Sequence, residues 1–215
     1  ADGRVEIVLW HSMGGVNGDA LERMADGFNA SQERYRVRAI FQGGYPDSLK
    51  KLVSSFGTAS MPAMIQLDDI QLRFMVDSAA TVSPQDFIDL ERADTSAAAQ
   101  TFDLDDIEPR AIDYYTLDGR LRAIPFNLSG PVLYYDKDAF REAGLDPEKP
   151  PVTLEEVRAY SERLMKRDGG SVTRNGIALQ ISPWYFEQML AKQGALYANN
   201  GNGREGLAKE VAFDA

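Results

Sequence analysis

Short apolar runs alternate with stretches of helical spacing along the first third of the chain. Residues 5–10 form a compact apolar run with one charge, the mark of a buried strand. Leu21, Met24, Ala25 and Phe28 then recur at intervals of three and four across 19–29, which puts them on one face of a helix. The pair repeats: 36–41 reads as a strand, Gly43 and Gly44 as a turn, and 46–56 as a helix with Leu49, Leu52, Val53 and Phe56 in one apolar stripe. A third pair follows, with 63–67 as strand and 70–77 as helix. Alternation of this kind predicts a mainly parallel sheet, because parallel neighbours need a crossover and a helix supplies both the return and the cover.

Residues 79–115 are richer in Asp, Ser, Thr and Ala and read as peripheral packing, with a helix in LDDIEPRAIDYY and a turn at Asp118 and Gly119. The stretch 121–135 is apolar but cut by Pro125, Gly130 and Pro131, which suits an extended crossover between lobes. This predicts an N-terminal α/β lobe over 1–127 and part of a second α/β lobe over 128–215, with too few strands to close. In that part, 137–143 reads as a short helix ended by Gly144. Thr153 and Glu156 form a capping box, and Leu154, Val157, Ser161 and Leu164 make the buried stripe of a longer helix that stops before Gly169 and Gly170. Residues 177–181 read as the next strand and 184–193 as the next helix, followed by a Gly and Asn turn.

Composition narrows the function. With 215 residues, 44% of them hydrophobic, the chain can bury real cores. Lys and Arg total 23 against 33 Asp and Glu, a net charge of −10, and no basic stripe is present, which argues against a general nucleic-acid binder. No run approaches the roughly 20 apolar residues that span a bilayer. The absence of cysteine removes disulfides, thiolate catalysis and cysteine zinc sites. The start ADGRVEIVLW lacks the regions of a signal peptide, as a mature trimmed protein or a cytosolic one would.

Catalytic motifs are scarce. His11 and Ser12 follow the first strand at the end where clefts form, but neighbours on an extended segment point apart, so they make a poor base and nucleophile. There is no G-x-S-x-G elbow or Walker loop, and a single histidine cannot build a multi-histidine zinc site. Gly14, Gly15 and Gly18 match neither phosphate-loop fingerprint, although a helix start near Asp19 could offer amides to an anion. Neither metal nor cofactor is expected.

At the crossover, IPFNLSGPVLYYDKDAFREAGLDPEKPPVTLEEVRAYSERL resembles the signature of extracellular solute-binding proteins of ABC importers, in the glycerol-3-phosphate-binding branch. LWHSMGG, FQGGYPDSLKKLVSSF and MPAMIQLDD agree with that family in order and spacing. The resemblance implies an α/β fold of the periplasmic-binding-protein type (type II): two lobes with a hinge, of which this chain is the first part. It also implies a monomer outside the cytoplasm, periplasmic or extracellular, free or lipid-anchored, that works with a membrane permease and binds no nucleic acid. The favoured ligand is glycerol 3-phosphate or a glycerophosphodiester, its phosphate met by an arginine or amides beyond these residues. A neutral sugar or oligosaccharide is the alternative, and a glycerophosphodiester hydrolase using His11 or the acidic cluster is the alternative from another class.

The same resemblance assigns ligand contacts to Tyr45, Asp69, Ser129 and Trp184, beside which His11 and Ser12 lie at a strand end. Each has a plainer alternative. Tyr45 could be a turn aromatic, Asp68 and Asp69 helix caps, Ser129 a bend residue before Gly130 and Pro131, and Trp184 core. Asp69 stands where the glycerol-3-phosphate proteins usually carry Glu, which retracts the acceptor. Trp10, inside a strand-like run, reads as core.

Overall fold

The computed structural model describes residues 3–94, 103–180 and 182–213. The chain divides into two units, residues 1–128 and 129–215.

The first unit is built on three parallel strands, β1 (Val5–His11), β2 (Tyr35–Phe41) and β3 (Met64–Ile65), in the order β2-β1-β3. Register runs from Val5 opposite Tyr35 to His11 opposite Phe41, and β3 joins with Leu9 opposite Met64 and Trp10 opposite Ile65. The crossovers are α1 (Gly15–Ser31) and α2 (Tyr45–Ser55). Helix α1 starts at Gly15, four residues before the first apolar-periodic stretch. Gly15 takes φ +55, and a Cβ on Gly18 would lie 2.8 Å from the Met13 carbonyl oxygen, so glycine lets the chain turn directly into helix.

The outer edge of β2 is covered by side-chain amides. Asn29 donates to the Val37 carbonyl (2.8 Å) and accepts from its amide (2.7 Å), while Gln32 does the same for Tyr35 (2.8 and 2.7 Å). An exposed edge is thereby kept from offering a bare ladder. Leu21 of α1 and Leu52 of α2 are buried, Leu52 to 2% exposure, and burying such a side chain stabilises by about 1.5–3 kcal/mol.

Four further elements complete this unit's frame: α3 (Leu72–Asp77), α4 (Pro84–Ala93), α5 (Pro109–Tyr115) and the hairpin of β4 (Thr116–Leu117) and β5 (Arg120–Leu121). Asp118 and Gly119 form its turn at φ +53 and +68, as the sequence predicts. Ser83, buried before α4, donates to the Leu121 carbonyl at 2.6 Å, and Arg120 pairs with Asp86. Met75, Ile88, Ala111 and Leu121 extend the core.

The second unit contains α6 (Lys137–Glu142), α7 (Leu154–Leu164), the antiparallel pair β6 (Lys166–Asp168) and β7 (Ser171–Arg174), and α8 (Pro183–Lys192). Asp136 caps α6 by accepting from the amides of Asp138 and Ala139 at 2.8 and 3.1 Å. The predicted capping box of α7 is present, with Thr153 Oγ1 accepting from the Glu156 amide and Glu156 reaching back to the Thr153 amide. Phe140, 2% exposed, packs on Tyr135 and Tyr160 with ring centroids at 4.8 and 5.7 Å. Residues 199–203 form the predicted Gly and Asn turn, wound left-handed, with Asn200, Gly201 and Asn202 at φ between +54 and +59.

One predicted element is corrected. Residues 177–180 form no strand, and Ile181 lies outside the described residues. The apolar run satisfies the side-chain pattern, but a strand also needs a neighbour's backbone, and among the described residues none pairs with it. Ile177 and Ala178 instead line a cavity of about 280 Å³ within this unit, together with Leu133, Tyr135, Phe140 and Tyr160.

Candidate functional site

In an open α/β sheet, the loops beyond the carboxyl ends of the strands are where a ligand meets backbone amides and short side chains. In the first unit that edge consists of the residues after His11, Phe41 and Ile65.

His11 is 2% exposed and its Nδ1 has no hydrogen-bond partner, nor does the buried Oγ of Ser12. The two side chains therefore do not bond to each other. Burial holds the His11 imidazole below its ordinary value, with the charge of Glu22 and the Met13 backbone opposing the shift. Its ring lies 5.9 Å from that of Phe41 at the end of β2.

Tyr45 is the first residue of α2 and is half-buried. Gly43 ahead of it takes φ +92, a conformation that opens the β2–α2 turn. Asp68 and Asp69 follow β3, and Asp69 begins a single 3₁₀ turn. Neither carboxylate caps a helix: Asp68 occupies the cap position without a side-chain capping bond, and α3 is likewise uncapped. One oxygen of Asp68 is buried without a partner. Burial pushes the Asp68 carboxyl above its ordinary value and the charge of Asp69 adds to this. Gln71 approaches closely enough to oppose the shift without closing a capping bond.

Tyr115, at the end of α5, ties these groups together. Its phenol is held above the ordinary value, first by burial and then by the fields of Asp69, Tyr45 and Asp68. The chemistry of such a set suits hydroxyls, since carboxylates accept and phenols both donate and accept.

Gln66 also belongs to this edge. It is 8% exposed, its backbone amide donates to the Trp10 carbonyl at 2.8 Å, and its side chain accepts from the Ser12 amide at 3.1 Å and donates to Asn127 Oδ1 at 2.7 Å. The sequence reading missed Tyr115, Gln66 and Asn127. The available signal for Gln66 was a lone amide closing the apolar run MPAMIQL; Tyr115 sat in a segment read as peripheral packing.

Ser129 and Trp184 belong to the second unit. Ser129 is exposed on a segment, 124–136, that carries no helix, strand or turn, so the bend reading does not hold. Trp184 is half-buried near the start of α8, its ring 5.3 Å from that of Tyr185 at 63°. Trp10 lies half-buried in β1. An open depression of about 530 Å³ beside the end of β2 is lined by Phe41, Gln42, Gly43, Asp47, Lys50 and Lys51, and includes neither Tyr45 nor Asp69.

Among the described residues, no cluster of three or more His, Asp or Glu could hold a metal ion, and no helix is long and apolar enough to cross a membrane.

Three parallel strands with polar groups at their carboxyl edge define an open α/β fold of the kind that carries a ligand site at that edge. Residues 14–215 match the bacterial extracellular solute-binding proteins, and the chain belongs to that family. Among its relatives, the sn-glycerol-3-phosphate-binding periplasmic protein of Yersinia pestis is 36% identical over 214 residues, covering 97% of this chain and 46% of that protein. The protein of the same name from Agrobacterium fabrum is 30% identical over 211 residues, covering 98% and 47%. The chain thus spans less than half the length of these relatives. Among solved structures, the cyclic α-maltosyl-1,6-maltose-binding protein of Arthrobacter globiformis aligns with a TM-score of 0.54 at 28% identity, covering 75% of this chain and 38% of that one. An ABC substrate-binding protein of Listeria monocytogenes in complex with cycloalternan shares the fold, with a TM-score of 0.55 at 18% identity, covering 77% and 39%.

Proposed function

We propose that this chain is the ligand-capturing part of an ABC importer's binding protein, located in the periplasm or outside the cell, and that it takes sn-glycerol 3-phosphate or a glycerophosphodiester. The observation that carries this reading is the placement of Tyr45 and Asp69 after β2 and β3 at the carboxyl edge of the sheet, with Tyr115 within reach of their electric fields, in a chain 36% identical to a protein named for binding sn-glycerol 3-phosphate. Asp69 accepts from adjacent ligand hydroxyls, and the two phenols meet the remaining polar atoms. Ser12, Ser129 and Trp184 add a hydroxyl, a second hydroxyl and a flat apolar face. Solute capture then favours a state that a membrane permease recognises, with the protein itself a monomer. Recognition proceeds without chemistry, a reading supported by Ser12 and His11 failing to bond to each other.

A neutral sugar is the second reading, favoured by the 28% identity to a protein named for binding a cyclic maltosyl-maltose. Calorimetric titration of the full-length protein with sn-glycerol 3-phosphate, glycerophosphocholine and maltose decides between them. Heat from either phosphate compound, with maltose silent, is the expected result; binding of maltose alone refutes the phosphate reading. Turnover of glycerophosphocholine that disappears in His11→Ala would replace both with a hydrolase.

A further inference from the structure

We infer that Gln66 is a positioning residue: its side chain links the ligand-facing loop at Ser12 to Asn127, so that engagement of Ser12 by solute is passed to the segment where the first unit ends. The inference rests on the proposed capture of a solute at this edge.

Three hydrogen bonds carry it. The Gln66 backbone amide is fixed on the Trp10 carbonyl, which anchors the residue to the central strand. Its side-chain oxygen accepts from the Ser12 amide and its side-chain nitrogen donates to Asn127 Oδ1. A primary amide is the group that can accept on one side and donate on the other at once. Gln66 is more than nine-tenths buried, so either bond, once lost, leaves a polar atom without water.

The two ends differ in kind. Ser12 carries a buried hydroxyl with no partner, on the sheet edge proposed to meet the solute. Asn127 is exposed and stands two residues before Ser129, where the second unit begins. Pulling on Ser12 therefore loads a short rigid path that ends at the connector, the kind of contiguous contact through which two sites can be coupled.

The test uses the full-length protein and two readouts. In the absence of solute, Asn127→Ala is expected to raise amide exchange about fivefold at Ser12, some distance along the chain from the substitution, because the Gln66 side chain loses one of its two hydrogen bonds. Gln66→Leu, which removes the acceptor itself, should raise exchange at Ser12 at least as much. Exchange at Ser12 unchanged in Asn127→Ala overturns the inference.

Charge provides the second arm. Gln66→Glu and Asn127→Asp each leave one amide to donate between the two residues, whereas the double variant sets two carboxylates against each other. The dissociation constant for sn-glycerol 3-phosphate, or for maltose if that is what the wild type takes, should rise in the double variant by at least fivefold more than the product of the two single changes. Gln66 acting on stability alone would show this excess in melting temperature but not in affinity, which contradicts the proposal. A wild type that binds none of the three solutes refutes the proposed function, and the exchange measurement then decides the coupling on its own.

Discussion

The two units solve the same problem with different resources. In the first, each strand of the parallel sheet is followed along the chain by a helix. Leu21, Leu52, Met75, Ile88, Ala111 and Leu121 spread the core over both crossovers and the hairpin. In the second, the buried apolar side chains among the described residues are Ala139, Phe140 and Leu145, while Val132 and Tyr134 stand 74% and 92% exposed on an extended segment that has no ladder partner there. Local alternation of strand and helix is thus sufficient to organise one unit. The other has strand-like sequence that finds no strand to pair with among the described residues, and rests on two aromatic clusters, Tyr135–Phe140–Tyr160 and Phe186–Tyr197–Phe213, and a few caps.

Each unit carries one of the two tryptophans, Trp10 and Trp184, so their fluorescence can follow the units separately during urea unfolding. The largest expected effect is from Phe140→Ala, which removes the ring between Tyr135 and Tyr160 and should cost about 3–5 kcal/mol, seen at Trp184. Its counterpart, Leu52→Ala, should cost about 2–4 kcal/mol, seen at Trp10. Equal movement of both reporters in both variants would break the comparison.

Gly176→Ala should follow. A Cβ there would collide with the Ser161 carbonyl on α7, a backbone group that cannot swing aside, so a loss of about 1–3 kcal/mol at Trp184 is expected. Thr153→Ala, removing the capping box, should cost about 1 kcal/mol at the same reporter, with Thr153→Ser restoring most of it.

The smallest effect concerns pH. The folded value of His11 lies below its unfolded value near 6.5, so as pH falls through 6.5 the unfolded chain takes up the proton first. The first unit should lose stability on that side and none above it, at Trp10 and not at Trp184. His11→Gln should flatten the slope. Asp68 acts in the opposite sense and at lower pH: its raised folded value favours the folded state when acid, and that contribution disappears as pH rises through it. A slope at Trp10 that survives His11→Gln assigns the titration elsewhere.

What the sequence made legible follows the same division. Periodicity located β1, β2 and the helices beside them, because one face of each is apolar and its cover comes next along the chain. Thr153 and Glu156 announced their cap because the capping box is local. The run 177–181 misled, since side-chain pattern records burial but not the presence of a pairing edge. At the site, Tyr45 and Asp69 were singled out through the family resemblance, and the structure puts both directly after strands. Gln66 was not, because its partners Ser12 and Asn127 lie 54 and 61 residues away, and only folding brings them together. Tyr115 was hidden likewise, its connection to Asp69 and Tyr45 running through space.

The central claim, that the carboxyl edge of the first unit captures the solute, is tested most directly by calorimetric titration of full-length Asp69→Ala with the solute the wild type binds. The account predicts at least a tenfold weaker dissociation constant, since a carboxylate that accepts from the ligand contributes about 1.5–3 kcal/mol. Binding as tight as that of the wild type would contradict it.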